Sequence, residues 1–305
     1  MIRNLVKYPS RVRELQARFN AHPNLHGAEN PTYLKGENDK AINTFAAVLF
    51  GLGTAQTLRV VKEFIKDEPL ECLRNECIKL HEATTDEKIV DLGCVLDLFA
   101  ETYMPGNARI EQDAYMTIRN ELLEEIGGKN VKCIQQLIFN EIPMYMAKFF
   151  EKEKLYFFNE HYVVKPAHTN VEFRWHQDDA EQLGMCVHRE SIPWYLSAWC
   201  ALDDVTMKNG ALQFLPWTHH QPDAMVPEEL DVTSATAPIV VSAGSLIIFR
   251  SDIWHFSAIN TTDASRRAFY VQYTQEPIYS SPNTKEPLCC AIPIEIAPSK
   301  KKYKK

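Results

Sequence analysis

Three short segments, far apart in the chain, must meet for this sequence to make chemical sense. They are His176-Gln177-Asp178, Trp254-His255-Phe256-Ser257 and Arg266. Two histidines and one carboxylate can hold a metal ion on one triangular face and leave its other positions open, the arrangement of non-haem Fe(II) oxygenases. His176 and Asp178 lie two apart, so on a β-strand both side chains aim the same way and Asp179 aims the other. Asp178 is therefore the ligand candidate. Arg266 follows His255 by eleven residues, close enough for the next strand to return it beside the metal. Zinc is the alternative occupant, since three N/O ligands hold it too. Arg266 and Ser257 beside the site favour iron with a keto acid.

A fold that joins these segments needs several strand ends at one place, and the second half of the chain supplies strands. From Lys154 onward short runs rich in β-branched and aromatic residues alternate with loops of Pro, Gly, Asn and Asp. They are 155–158, 171–176, 195–202, 211–215, 239–241, 246–249, 254–259 and 267–273. Many short strands with turn signals predict a sandwich or barrel. Residues 1–153 read instead as helices. Ala41–Lys66 carries apolar residues at spacings of three and four. Thr85 and Asp86 cap a second helical pattern through Phe99. Arg109–Ile126 is a third, stopped by Gly127-Gly128, and Val131–Phe150 is one helix or a pair broken at Pro143. The expectation is an α+β chain: a helical region over 1–153 packed on a jelly-roll core over 154–295, with a basic tail over 296–305.

Composition narrows the function. The net charge of −7 argues against nucleic-acid binding, which needs a basic surface. The most apolar stretch, Phe45–Ala55, is too short to span a bilayer. Eight cysteines form no C-x-x-C pair and read as buried thiols of a reducing compartment, which points to the cytoplasm. The acid-poor N-terminus leaves a mitochondrial presequence as the alternative.

The segments Trp175–Asp178, Ala198–Leu202, Asn209–Leu212, Leu215–His219 and Gly244–Phe249, followed by His255-Phe256-Ser257 and Arg266, resemble the phytanoyl-CoA dioxygenase family. That resemblance covers about 155–275. It implies a double-stranded β-helix and an Fe(II)- and 2-oxoglutarate-dependent dioxygenase, with O2 as co-substrate and ascorbate as the assay reductant. It implies that His176, Asp178 and His255 are the iron ligands and that Arg266 pairs with the distal carboxylate of 2-oxoglutarate. A guanidinium fork meets a carboxylate bidentately. Ser257 shares that carboxylate, and Trp199 lines the cofactor pocket. Gly244 makes the tight turn before the strand leading to His255. Turnover then yields succinate and CO2 and removes hydrogen from a C–H bond.

The substrate is less constrained. Arg174 lies two before His176 and, on a regular strand, shares its face; its partner anion is either a substrate carboxylate or an internal acid such as Asp179, Glu172 or Glu181. Arg189, with His188, falls in a loop over the site mouth. Tyr162 and Phe158 are further pocket candidates. The arginines suit a small carboxylated metabolite in a biosynthetic pathway, through hydroxylation, desaturation or a ring closure such as that of kainoid amino acids. The alternatives are a fatty acyl-CoA hydroxylase and a non-catalytic jelly-roll sensor of a metal or ligand.

Overall fold

Strands whose alternate side chains are apolar on both sides must be covered twice, and here they are. The computed structural model describes residues 58–83, 90–91, 95–97, 111–127, 132–179, 192–216, 230–279, 281–283 and 287–296. The eleven strands among them are β1 (Leu58–Val61), β2 (Val90–Asp91), β3 (Val95–Asp97), β4 (Lys154–Lys165), β5 (Phe173–His176), β6 (Leu196–Ala201), β7 (Leu212–Phe214), β8 (Leu246–Arg250), β9 (His255–Ser257), β10 (Arg266–Thr274) and β11 (Ile292–Glu295). The large sheet runs β1-β8-β6-β10-β4-β3-β2, with β11 also on β4, and the small sheet runs β5-β9-β7. All pairings are antiparallel.

Strand alternation sorts the large sheet into two cores. Leu196, Ala198 and Cys200 of β6, Leu246 and Ile248 of β8, and Phe269, Val271 and Tyr273 of β10 face the helices. Their neighbours Trp199, Ile247, Phe249, Ala268 and Tyr270 face the small sheet with Leu212 and Phe214. The interior between the sheets is where the site forms.

The helices are α1 (Asp67–Glu82), α2 (Gln112–Glu125), α3 (Lys132–Gln136) and α4 (Ile142–Phe150). Pro143 does not break this last region in two. Its ring would meet the carbonyl of Phe139 in a regular helix. The chain avoids this with a π-turn over Leu137–Glu141, in which the Ile142 N–H reaches back to the Leu137 carbonyl.

Two helical expectations are overturned. The pattern read over 41–66 ends in strand β1, which pairs along β8 from Leu58↔Phe249 to Val61↔Leu246. The pattern read over 85–99 contains β2 and β3, and β3 completes the edge of β4 through Val95↔Val163 and Leu96↔Tyr162. Short apolar runs fit both periods, and β-branched Val60, Val61, Val90 and Val95 favour extended backbone once a sheet edge is available. The rest of 41–57 lies outside the described residues. Residues 239–241 form no strand, only a bridge from Val241 to Val205, and β11 is a further strand, whose signal is the period-two alternation of Ile292, Ile294 and Ile296.

A buried charge cluster ties helices to sheet. Arg119 of α2 donates to both oxygens of Glu76 in α1 at 3.1 and 2.7 Å and to Glu160 of β4 at 2.7 Å. Tyr115 donates to Glu160, and Tyr162 to Glu76 at 2.6 Å. Among the described residues no helix is long and apolar enough to cross a membrane.

Candidate metal and keto-acid site

The small sheet sets the metal site. β5 and β9 pair with Phe173 opposite Ser257 and His176 opposite His255. Three steps on β5 thus match two on β9, so β5 carries a bulge. The bulge brings the two imidazoles together, with ring centroids 4.0 Å apart and planes tilted by 47°. Each ring is held alike: Nδ1 of His176 bonds the Arg174 carbonyl at 2.6 Å, and Nδ1 of His255 bonds the Ile253 carbonyl at 3.1 Å. A carbonyl accepts only, so each Nδ1 is the protonated one and each Nε2 keeps a free lone pair.

Asp178 has left the strand for a short helical turn, anchored where Gln177 donates to the Asp252 carbonyl at 2.6 Å. Its Oδ2 accepts from Ser197 at 2.6 Å, from Tyr270, and from Gln272 at 3.4 Å. Oδ1 faces the histidines, 3.5 Å from Nε2 of His255. Ligand atoms of His176, Asp178 and His255 all lie within 4.8 Å of one another. Burial, with His176 beside it, pushes the His255 imidazole down to about 4, against the pull of Asp178 and the Ile253 carbonyl. The ring is therefore neutral at pH 7, the form a metal binds.

The site opens on a cavity of about 410 Å3. Arg266, 1% exposed, lies in its wall with Ser257, Trp199 and Phe249. The guanidinium sits over the Trp199 ring at 5.2 Å and is positioned by the carbonyls of Asn209 and Gly210, both at 3.3 Å, and by Ser257 Oγ at 3.2 Å. Gly210 is required here. Its φ is +86°, and a Cβ would stand 2.5 Å from the Ala258 carbonyl. Gly244, with φ +79°, makes the turn before β8 and passes 2.8 Å from the Ile65 carbonyl, measured to the position of a Cβ.

The donor set fits Fe(II) and 2-oxoglutarate. Two imidazole nitrogens and one carboxylate oxygen converge within 4.8 Å of one another. A buried cation with a hydroxyl beside it waits in the same cavity, matched to a carboxylate.

The other candidates fall elsewhere. Arg174 is exposed, because the bulge between Phe173 and His176 breaks the alternation and turns Phe173, not Arg174, into the cavity. Arg174 contributes only its carbonyl. Tyr162 is fully buried on the helix side of β4, since Asn159, His161 and Val163 take the cavity side. Phe158 packs with Tyr195 and Ile278 outside the cavity wall. Arg189 and His188 lie outside the described residues.

Several residues of the site were missed from sequence. Tyr270 and Gln272 alternate with Arg266 along β10, and that alternation was the available signal. Buried Asn260 donates to the carbonyls of Lys165, Pro166 and Ala264 at 2.8–3.0 Å and holds the loop that delivers Arg266. Lys165 donates to the carbonyls of Ser257, at 2.8 Å, and Ala258. His161 lines the cavity with its ring 4.8 Å from that of Tyr270, and burial pushes it down to about 4.

Comparison with known proteins agrees with this geometry. The phytanoyl-CoA dioxygenase family model matches residues 58–268, beginning well before the motifs at 155. Phytanoyl-CoA dioxygenase domain-containing protein 1 of Bos taurus is 28% identical over 144 residues, 41% of this chain and 48% of that protein. A 2-aminoethylphosphonate dioxygenase of an uncultured bacterium is 26% identical over 88 residues, 27% of this chain and 34% of that protein. The chain thus spans about half the length of the first of these curated relatives and a third of the second. Among solved structures, the non-heme alpha ketoglutarate dependent carbocyclase SnoK from nogalamycin biosynthesis superposes with a TM-score of 0.53 at 16% identity, over 83% of this chain and 96% of that one. AviO1 from Streptomyces viridochromogenes gives 0.50 at 16% identity, over 72% and 90%. At such identities the likeness is one of fold, the double-stranded β-helix.

Proposed function

The chain belongs to the phytanoyl-CoA dioxygenase family, and from that premise we propose that it is an Fe(II)- and 2-oxoglutarate-dependent oxygenase that removes hydrogen from a C–H bond of a small metabolite. One observation carries the reading: His176, His255 and Asp178 present their ligand atoms on one side of a cavity whose wall also holds buried Arg266 and Ser257. When bound, iron with the keto acid would activate O2, the oxidant for the hydrogen removal, which no side chain can do.

The residues of the chain do the rest. His176, Asp178 and His255 hold the metal. The Arg174 and Ile253 carbonyls fix both ring tautomers, and Ser197, Tyr270 and Gln272 fix the carboxylate. Arg266 with Ser257 takes the distal carboxylate of the keto acid, and Trp199 and Phe249 keep that end apolar and closed to water. Hydroxylation, desaturation and cyclisation all begin with the same hydrogen removal, and we assign the step to a biosynthetic pathway. A carboxylated substrate was expected from Arg174 and Arg189. Arg174 no longer supports it, and the described cavity wall has no cation besides Arg266.

The test is succinate formation by the full chain with Fe(II), ascorbate and 2-oxoglutarate, and its loss in His176→Ala. A protein that binds iron yet never consumes 2-oxoglutarate is a sensor instead.

A further inference from the structure

The register of β4 against β10 orders the cavity from end to end. Arg266, Ala268, Tyr270 and Gln272 stand opposite Lys165, Val163, His161 and Asn159. The keto-acid anchor lies at one end of this ladder and Asn159 at the other. The separation from Arg266 to Gln272 is about 20 Å at ~3.3 Å per strand residue. 2-Oxoglutarate, a short dicarboxylate, does not span it. Asp178 bonds both Tyr270 and Gln272, so the metal site lies toward the Asn159 end, and the space there is left for substrate.

Asn159 lines the cavity and is 8% exposed, and its Oδ1 is buried with no hydrogen-bond partner among the described residues. Its cross-strand neighbour Gln272 is fully buried. The Gln272 amide has one tenable orientation. Nε2 donates to Asp178 at 3.4 Å and to Ser197 at 3.2 Å, and turned over it would set oxygen against a carboxylate. Oε1 therefore points away from Asp178, and it too is buried without a partner among the described residues. Buried acceptors are normally satisfied. Two of them side by side, one on a cavity wall, call for donors from outside the chain.

Resting on the oxygenase reading above, we propose that Asn159, backed by Gln272, is the substrate-recognising end of the cavity and accepts a hydrogen bond from a hydroxyl or amino group of the substrate. A carboxylate offers no proton to these oxygens and meets no second cation in the described wall. The substrate class is thus a hydroxyl- or amine-bearing small molecule, and Asn159 sets specificity without touching iron or keto acid.

The experiment uses the full chain loaded with Fe(II) and 2-oxoglutarate. Succinate formation is followed with probes that carry a hydroxyl, amino, carboxylate or coenzyme-A thioester group on matched carbon skeletons. Hydroxyl or amino probes are expected to stimulate turnover, and the two sources are separated by those arms. Asn159→Leu is expected to raise the half-maximal concentration of the best probe by about tenfold or more. It should leave iron content and the 2-oxoglutarate requirement unchanged and should not lower Tm, because it removes an acceptor that is unsatisfied in the free protein. Stimulation only by carboxylates or thioesters, stimulation by no probe, an unchanged half-maximal concentration, or a lowered Tm overturns the subsite. Failure of the wild-type chain to bind 2-oxoglutarate on iron, read from its visible charge-transfer band, overturns the oxygenase reading itself and with it the subsite.

Discussion

Tyr270 donates its hydroxyl to Oδ2 of Asp178, the same oxygen that Ser197 reaches at 2.6 Å, which leaves Oδ1 to face His255. Burial, with Asp178 beside it, raises the Tyr270 phenol well above its ordinary range, so it stays a donor at any working pH. Tyr270→Phe keeps the ring against Phe249 and His161 and deletes only the hydrogen bond. Iron affinity should fall about 10–100-fold, the usual cost of losing an outer-sphere partner. A competition titration with a metal chelator measures it, and unchanged affinity would show that Asp178 needs no such support.

Adjacent arginines on β10 serve different faces. Arg266→Ala should weaken 2-oxoglutarate binding by one to three orders of magnitude, about 2–5 kcal/mol for a buried charge partner. Arg267 instead clamps Asp203 on the other face, at 2.8 and 2.7 Å. Arg267→Ala should cost at most ~1 kcal/mol of stability, as for a partly exposed pair, and leave the keto acid alone. The reverse ranking in a 2-oxoglutarate titration would mean that the strand register is off by one.

Much of this was legible in the sequence where side-chain chemistry is local. His176, Asp178, His255 and Arg266 carry the spacing of a strand-borne site, and β4–β10 announce themselves by β-branched and aromatic content. What was not legible depended on tertiary context. No pattern in Phe173–His176 reveals a bulge, because a bulge is a relation to β9. Leu58–Val61 and Val95–Asp97 are too short for period to separate strand from helix, and the edges of β8 and β4 decide. Asn159 and Gln272 look like ordinary polar residues until the register puts them opposite each other.

The bulge makes a prediction of its own. Because it turns Arg174 to solvent, Arg174→Gln should change iron, 2-oxoglutarate and substrate affinity by no more than about twofold, as for other exposed positions. Titrations of all three ligands on this variant check it. A selective loss of substrate affinity would restore the anionic-substrate reading and place the guanidinium over the cavity mouth.

His161 and His255 are both pushed by burial from the ordinary 6.5 to about 4. In the unfolded chain they take up protons first as pH falls, so protons favour unfolding. Stability of the metal-free protein should be full above about pH 6.5 and decline toward pH 4, by at most ~1.4 kcal/mol per pH unit for each histidine. His161→Asn should flatten that slope without touching a metal ligand. Urea melts from pH 4 to 7.5 measure it; a slope that is unchanged in the variant would exclude His161 as a contributor. Iron affinity should fall in the same direction, because the metal competes with protons for His255.

The charge cluster behind β4 is the last point of vulnerability. Burial disfavours the Arg119 cation, but Glu160 and Glu76 more than offset this and raise its pKa. Its side chain is 1% exposed and those of its two partners 4% and 0%, so neither carboxylate has water to turn to. Arg119→Met should cost about 3–5 kcal/mol, the penalty for leaving buried charge unmatched rather than the net worth of the ion pairs. The distinction is testable. Adding Glu76→Gln and Glu160→Gln to Arg119→Met removes the orphaned charges and keeps acceptors for the Tyr162 and Tyr115 hydroxyls. The triple variant should therefore be more stable than the single one in denaturant melts. If it is less stable, the carboxylates are worth more to the fold than their burial costs. The same melts, paired with 2-oxoglutarate titrations, should show keto-acid affinity intact wherever the protein stays folded, since the cluster lies on the face of β4 opposite Asn159, His161 and the cavity.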